Sequence, residues 1–211
     1  MSEGIRLVII DDHAMVRSGL AMFIDTVSGI TLVGQGANGL EAIKLCDELM
    51  PDVVLMDLMM PKMDGVKAIQ AITRKHPMIR IIALTSFKEE EMVRAALEAG
   101  AMSYLLKNAN VDVLAGAIKD AYDGNSVLAP EATQALIQAT RQPAPRPGQL
   151  TERERDVLTC MVKGKTNRQI ANDLEIGFST VKFHVSSILS KLNVSSRTEA
   201  VALALQHHLV D

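Results

Sequence analysis

The sequence predicts an α/β doubly wound, flavodoxin-like domain with five parallel strands, followed by a smaller all-α domain. Three observations carry this. Short apolar runs alternate with amphipathic stretches from residue 5 to about 125. The segment QPAPRPGQ then packs three prolines and a glycine into eight residues, and beyond it only helical periodicity remains.

IRLVII, TLVGQG, DVVLMD, RIIALT and MSYLL read as the strands. They are largely apolar, which suits a parallel sheet covered by helices on both faces. Residues 13–27, 38–49, 63–75 and 88–99 carry helical periodicity between strands, and 110–123 follows the last one. LAPEATQALIQATR could form a further helix before the proline-rich linker, whose prolines cannot continue it. Expected boundaries are 1–126, a connector at 127–148, and 149–211.

The second domain is punctuated by capping boxes, in which side chains satisfy free amides at a helix start. Thr151-x-x-Glu154, Thr166-x-x-Gln169 and Ser196-x-x-Glu199 all fit. Gly164 suits a helix C-terminus, and Gly177 falls in a short break. Four helices are expected, near 151–162, 167–174, 178–192 and 197–208.

Composition narrows the function. The chain has 211 residues, 48% of them apolar, enough for packed cores. Aromatics are 3% with no tryptophan, which argues against a stacking platform for single-stranded nucleic acid. Cys46 and Cys160 have no CxxC partner or metal-ligand spacing, and read as free core thiols in a reducing compartment. The short apolar run at the N-terminus does not resemble a signal peptide, and no stretch approaches the roughly 18 apolar residues of a membrane span. A cytoplasmic protein with no membrane partner is expected. Residues 1–140 hold 12 Lys/Arg against 18 Asp/Glu, while 141–211 hold 10 against 7. Only the second part is suited to meet a polyanion.

Ligands of an open parallel sheet bind beyond the carboxyl ends of its strands. There the expected strands deliver Asp11 and Asp12, Asp57, Thr85 and Ser86, and Lys107. Clustered carboxylates repel one another unless a hard cation sits among them, and Mg2+ takes oxygen ligands. With a metal bound, Asp57 suits nucleophilic attack on a phosphoryl group, Lys107 supplies charge, and Thr85 offers a hydrogen bond. Each residue alone also has an ordinary role: Asp11 and Asp12 as caps, Asp57 in a turn, Lys107 in solvent. Their joint placement favours the chemical reading.

VIIDDH, VVLMDLMMPKMDG, ALTS and YLLK, over about residues 4–125, resemble the receiver domain of bacterial two-component response regulators. The resemblance implies that Asp57 accepts phosphate from a histidine kinase, while Asp11, Asp12 and the Met59 backbone carbonyl help hold Mg2+. It also pairs Thr85 with Tyr104 as a switch, the ring following the hydroxyl inward. Asn108 stands where many receivers carry proline, so the cis bond of the wider family is not expected here.

In the basic part, TNRQIANDLEIGFSTVKFHVSSILSKL reads as helix, tight break, helix. Val181, Val185, Ile188 and Leu192 would face the first helix, leaving Ser179, Thr180, Lys182, Phe183 and Ser186 toward solvent. This pattern fits a helix-turn-helix, with Arg168, Lys182 and Lys191 as phosphate or base contacts and Phe183 against a thymine methyl. A helical bundle that docks another protein is the alternative. LTERERDVL, GKTNRQIA, TVKFH and KLNVSSRTEAV, over about 149–210, resemble the LuxR-type helix-turn-helix. With a receiver, that implies the NarL/FixJ class: a DNA-binding regulator that dimerises when phosphorylated, and not a turnover enzyme. Two rivals remain. One is regulation without phosphorylation. The other is an Asp-nucleophile phosphohydrolase, which would need an acid where Met59 stands. An FMN binder is disfavoured, because DDHAMVRSG offers no hydroxyl- and glycine-rich phosphate loop.

Overall fold

The structure, a computed structural model, describes residues 4–86, 90–128, 133, 149–207 and 209–210. The chain divides into two units, Met1–Gln142 and Pro143–Asp211.

The first unit alternates strand and helix as the apolar pattern requires. The strands are β1 (Ile5–Ile10), β2 (Ile30–Gly36), β3 (Val53–Met56), β4 (Arg80–Thr85) and β5 (Ser103–Leu106). They alternate with α1 (Ala14–Ile24), α2 (Gly39–Leu49), α3 (Gly65–Lys75) and α4 (Glu90–Glu98), and α5 (Val111–Tyr122) follows β5. All pairings are parallel, in the order β2-β1-β3-β4-β5. Strand order reverses between β1 and β3, which places the ligand crevice at their carboxyl ends.

Every residue of β3 and β5 is buried, the reason their sequences do not alternate. Leu7, Ile9, Val53, Leu55, Ile82, Leu84 and Leu105 pack against Ile24, Leu114, Ile118 and Ala121 on one face. Fully burying a Leu or Ile side chain is worth about 1.5–3 kcal/mol, so this layer holds the strand ends rigidly.

Register then sets the crevice. Ile10 pairs with Met56, so the next residues, Asp11 and Asp57, leave neighbouring strands side by side. The Asp57 amide donates to the Ile10 carbonyl at 2.8 Å, continuing the ladder. Thr85 pairs with Leu106, and the Lys107 amide donates to the Thr85 carbonyl at 2.7 Å. Behind β3, a Cβ on Gly65 would stand 2.1 Å from the Asp57 carbonyl oxygen. Only glycine lets α3 begin that close to the strand end.

Beyond α5, the Tyr104 amide donates to the Val127 carbonyl at 3.2 Å, and Leu128 bridges Tyr104. The beginning of the expected connector therefore lies along the free edge of β5. Most of the helix anticipated within LAPEATQALIQATR, and the proline-rich segment through Gly148, lie outside the described residues. No peptide bond among the described residues is cis, Lys107–Asn108 included.

The second unit holds α6 (Glu152–Val162), α7 (Asn167–Asp173), α8 (Phe178–Lys191) and α9 (Arg197–Gln206). Val157, Leu158, Met161, Ile170, Val181, Ile188, Ala200 and Ala204 form its core. The Thr151 and Thr166 boxes are complete. At α9 only half a box forms: Ser196 accepts the Glu199 amide at 3.2 Å, but the Glu199 carboxylate takes the Ser195 amide at 2.8 Å. Gly164 ends α6 with φ of 74°, a left-handed conformation that explains glycine there.

Candidate functional site

The β1, β3 and β5 ends bring Asp11, Asp12, Asp57 and Lys107 into one pocket. Asp11 and Asp57 are almost fully buried, Asp12 partly so. The Lys107 ammonium bridges the two buried acids, 2.6 Å from Asp11 Oδ2 and 2.8 Å from Asp57 Oδ2. One cation therefore serves two buried carboxylates. Asp57 Oδ1 accepts a long 3.3 Å hydrogen bond from the Met59 amide.

This arrangement leaves Asp57 poorly compensated. Burial lifts its carboxyl above the usual aspartate range; Lys107 and the Met59 amide oppose the lift without reversing it, and Asp11 adds to it. Burial works against the charged form of Lys107, but the Asp57 and Asp11 carboxylates outweigh it and hold the ammonium above the usual lysine value.

Asp11, Asp12, His13 and Asp57 each offer a donor atom within 4.8 Å of the others. Asp12 Oδ1 is buried without a hydrogen-bond partner, and Asp11 Oδ2 is met only by the Lys107 ammonium that Asp57 also uses. Buried anionic oxygens left unsatisfied are what a hard cation relieves, and an oxygen-rich donor set suits one. The residues fit a divalent metal ion.

Thr85 is fully buried at the β4 end, and Tyr104 is buried on β5. The Tyr104 ring therefore occupies the inward position. Two contributors were not singled out from sequence. The His13 amide donates to Asp11 Oδ1 at 2.9 Å, and the Arg17 guanidinium donates to the Asp11 carbonyl at 2.6 Å. Only their i+2 and i+6 spacing from Asp11 hints at this.

In the second unit, Arg168 and Lys182 are exposed, while Phe183 and Ser186 are half-buried. One expectation is corrected. Thr180 was placed toward solvent but is fully buried, as is its i+4 neighbour His184. The core face of α8 thus carries a second stripe beside Val181 and Ile188. Lys191, expected as a DNA contact, has its ammonium 2.7 Å from the buried Glu154 carboxylate. Nothing is described of the Ser179 side chain. Phe178, absent from the expected contacts, is half exposed at the start of α8, with the Lys182 ammonium 6.0 Å from its ring centroid.

Comparison with known families decides what this combination is. Residues 7–119 match the response regulator receiver domain, and residues 148–204 match the bacterial regulatory proteins of the luxR family. The chain belongs to the response regulators with a LuxR-type DNA-binding domain. It is a phosphorylation-controlled regulator of transcription, and the five-stranded parallel fold is the receiver's. The response regulator protein VraR of Staphylococcus aureus is 44% identical over 206 residues, covering 98% of this chain and 99% of that protein. VraR of Staphylococcus epidermidis is 43% identical over the same shares. Among solved structures, response regulator ChrA of a heme-sensing two-component system is 36% identical. It has a TM-score of 0.55, with 99% of this chain and 100% of that chain covered. An RcsB–DNA complex, at 23% identity and a TM-score of 0.61, covers 96% of this chain and 98% of that one and shares the fold. No helix among the described residues is long and apolar enough to cross a membrane.

Proposed function

We propose that Asp57 is the phosphoryl acceptor of this regulator, supplied by a sensor histidine kinase. A carboxylate oxygen attacks phosphorus as the phosphorus–nitrogen bond of the donor phosphohistidine breaks, and the imidazole nitrogen keeps the electron pair. The supporting observation is that Asp57 is buried, under-compensated and 2.8 Å from Lys107. Asp11, Asp12, Asp57 and the Met59 backbone carbonyl would hold Mg2+, which when bound supplies positive charge to the phosphoryl oxygens. Lys107 adds a further point charge beside the acceptor. Met59, two residues beyond the acceptor, offers no acid group to speed that hydrolysis, so the chain switches and does not turn over substrate.

Thr85 and Tyr104 form the switch. A phosphoryl group that engages Thr85 stabilises the inward Tyr104, whose amide holds Val127 at the edge of β5. The connector, 127–148, thereby joins the receiver, 1–126, to the DNA-binding domain, 149–211. The phosphorylated protein forms a homodimer in the cytoplasm and reads two half-sites of double-stranded DNA. Arg168, Ser179, Lys182, Phe183 and Ser186 make the contacts on and near α8, and the exposed Phe178 positions Lys182.

The test is DNA binding and oligomeric state with and without acetyl phosphate and Mg2+, in wild type and Asp57→Ala. Tightened binding or dimerisation in wild type alone supports the reading. Identical behaviour of the two proteins would sink it.

A further inference from the structure

We propose that Ser103 is a positioning residue of the switch: together with Tyr104 it clamps Val127, so that movement at the phosphoryl pocket displaces the first residues of the connector. The inference rests on the reading of Asp57 as phosphoryl acceptor and of Thr85 and Tyr104 as its switch.

β5 is an edge strand, so its outer side presents main-chain groups to no neighbouring strand. Val127 lies along that side and is held from it twice. Its amide donates to the Ser103 hydroxyl at 2.9 Å, and its carbonyl accepts from the Tyr104 amide at 3.2 Å. Leu128 continues as a parallel bridge to Tyr104, and Val127 packs against the receiver core. A single hydrogen bond lets a peptide pivot about it. Two bonds, from consecutive residues of one strand to both polar groups of one residue, fix its place and its direction together.

The serine is what completes the clamp. Ser103 is fully buried in SYLL, a strand whose every residue is buried and where an apolar side chain would suit. A buried hydroxyl costs free energy unless it is hydrogen-bonded, and the Val127 amide supplies that bond. Ser103 and Tyr104 pair with Ile82 and Ala83 of β4, and the same strand ends at Thr85, two residues beyond Ala83. A shift of Thr85 toward a phosphoryl group therefore acts on the rungs of the ladder that carry the clamp. Close-packed interiors transmit such strain instead of absorbing it, and Thr85, Ser103 and Tyr104 are all almost fully buried.

The experiment uses the full chain as wild type, Ser103→Ala and Ser103→Cys. Alanine removes the hydroxyl and its volume, whereas cysteine keeps the volume and puts a weak acceptor in place of oxygen. Acetyl phosphate with Mg2+ loads Asp57, and intact mass reports the phosphoryl group taken up. DNA affinity is read on duplexes that phosphorylated wild type selects from a random-sequence pool, and hydrogen exchange is followed at the Val127 amide. Both variants should take up phosphate as wild type does. Exchange at Val127 should nevertheless rise about fivefold, and the gain in DNA affinity on phosphorylation should shrink by a similar factor. An undiminished gain in Ser103→Ala would overturn the proposal. So would a wild-type response from Ser103→Cys beside a loss in Ser103→Ala, because volume and not the hydrogen bond would then matter. Failure of both variants to take up phosphate would likewise overturn it, by assigning Ser103 to the integrity of the pocket. A wild type that takes up no phosphate, or binds DNA equally with and without it, sinks the Asp57 reading and the clamp together.

Discussion

Two buried carboxylates, one in each domain, are each paired with a lysine and behave in opposite ways. Glu154 has the Lys191 ammonium at 2.7 Å, the Ser187 hydroxyl donating at 2.6 Å and the Thr151 amide donating at 2.7 Å. Burial pushes its carboxyl up, but these three partners together hold it below the usual glutamate range. Asp57 shares its lysine with Asp11 and has one long amide bond, so burial wins and its carboxyl stays high. A carboxylate that holds a fold together is satisfied from within. One that receives a ligand is left short of partners, and the ligand supplies them.

The largest expected effect is at the satisfied site. Glu154→Ala removes half of a capping box and strands Lys191, which should cost the DNA-binding domain about 3 kcal/mol. Its unfolding transition in urea would show this, and a loss under about 1 kcal/mol would break the comparison. Lys107→Ala should cost the receiver less, about 2 kcal/mol, because its pocket opens to water and added Mg2+ replaces the missing charge. Thermal melts with and without MgCl2 would reveal that rescue, and an equal loss in both conditions would contradict it.

Ser187→Ala should cost about 1–1.5 kcal/mol and raise the Glu154 carboxyl. Because the Glu154 value is depressed in the fold, its contribution is present above its ordinary value of 4.5 and fades as pH falls through the folded value. Ser187→Ala should therefore move the acid unfolding limb of this domain to higher pH. Asp57 has the opposite sign. Its folded value lies above the ordinary 3.8, so ionisation costs receiver stability as pH rises past that point. Asp57→Asn should stabilise the metal-free receiver at neutral pH, with the gain fading as pH falls toward the ordinary aspartate value of 3.8. Melts across pH would settle it, and destabilisation at neutral pH would mean that Lys107 needs Asp57 more than the receiver suffers from its charge.

Much of this was legible in residue order. Apolar runs marked the five strands, each within two residues of its expected place, and burial on both faces holds throughout β3 and β5 but not along the edge strand β2. Thr-x-x-Glu and Thr-x-x-Gln marked two helix starts because a capping box is a local transaction between residues three apart. Ser196-x-x-Glu199 was only half right, since Ser195 competes for the same carboxylate. The pocket acids were recognisable because the parallel topology dictates which strand ends converge.

What residue order did not announce involved partners distant in sequence. Helical spacing marks Lys191 as surface, and nothing local announces that Glu154, 37 residues earlier, reaches it. Thr180 sits one residue from the apolar stripe, so its burial depends on how wide a face α6 and α7 cover. The sequence by itself determined the two fold types, the strand-tip acids and the helix starts, because propensity, periodicity and capping act over a few residues. Tertiary structure alone decided which carboxylates are fully compensated and which share a single cation, because charge compensation is settled by through-space distance.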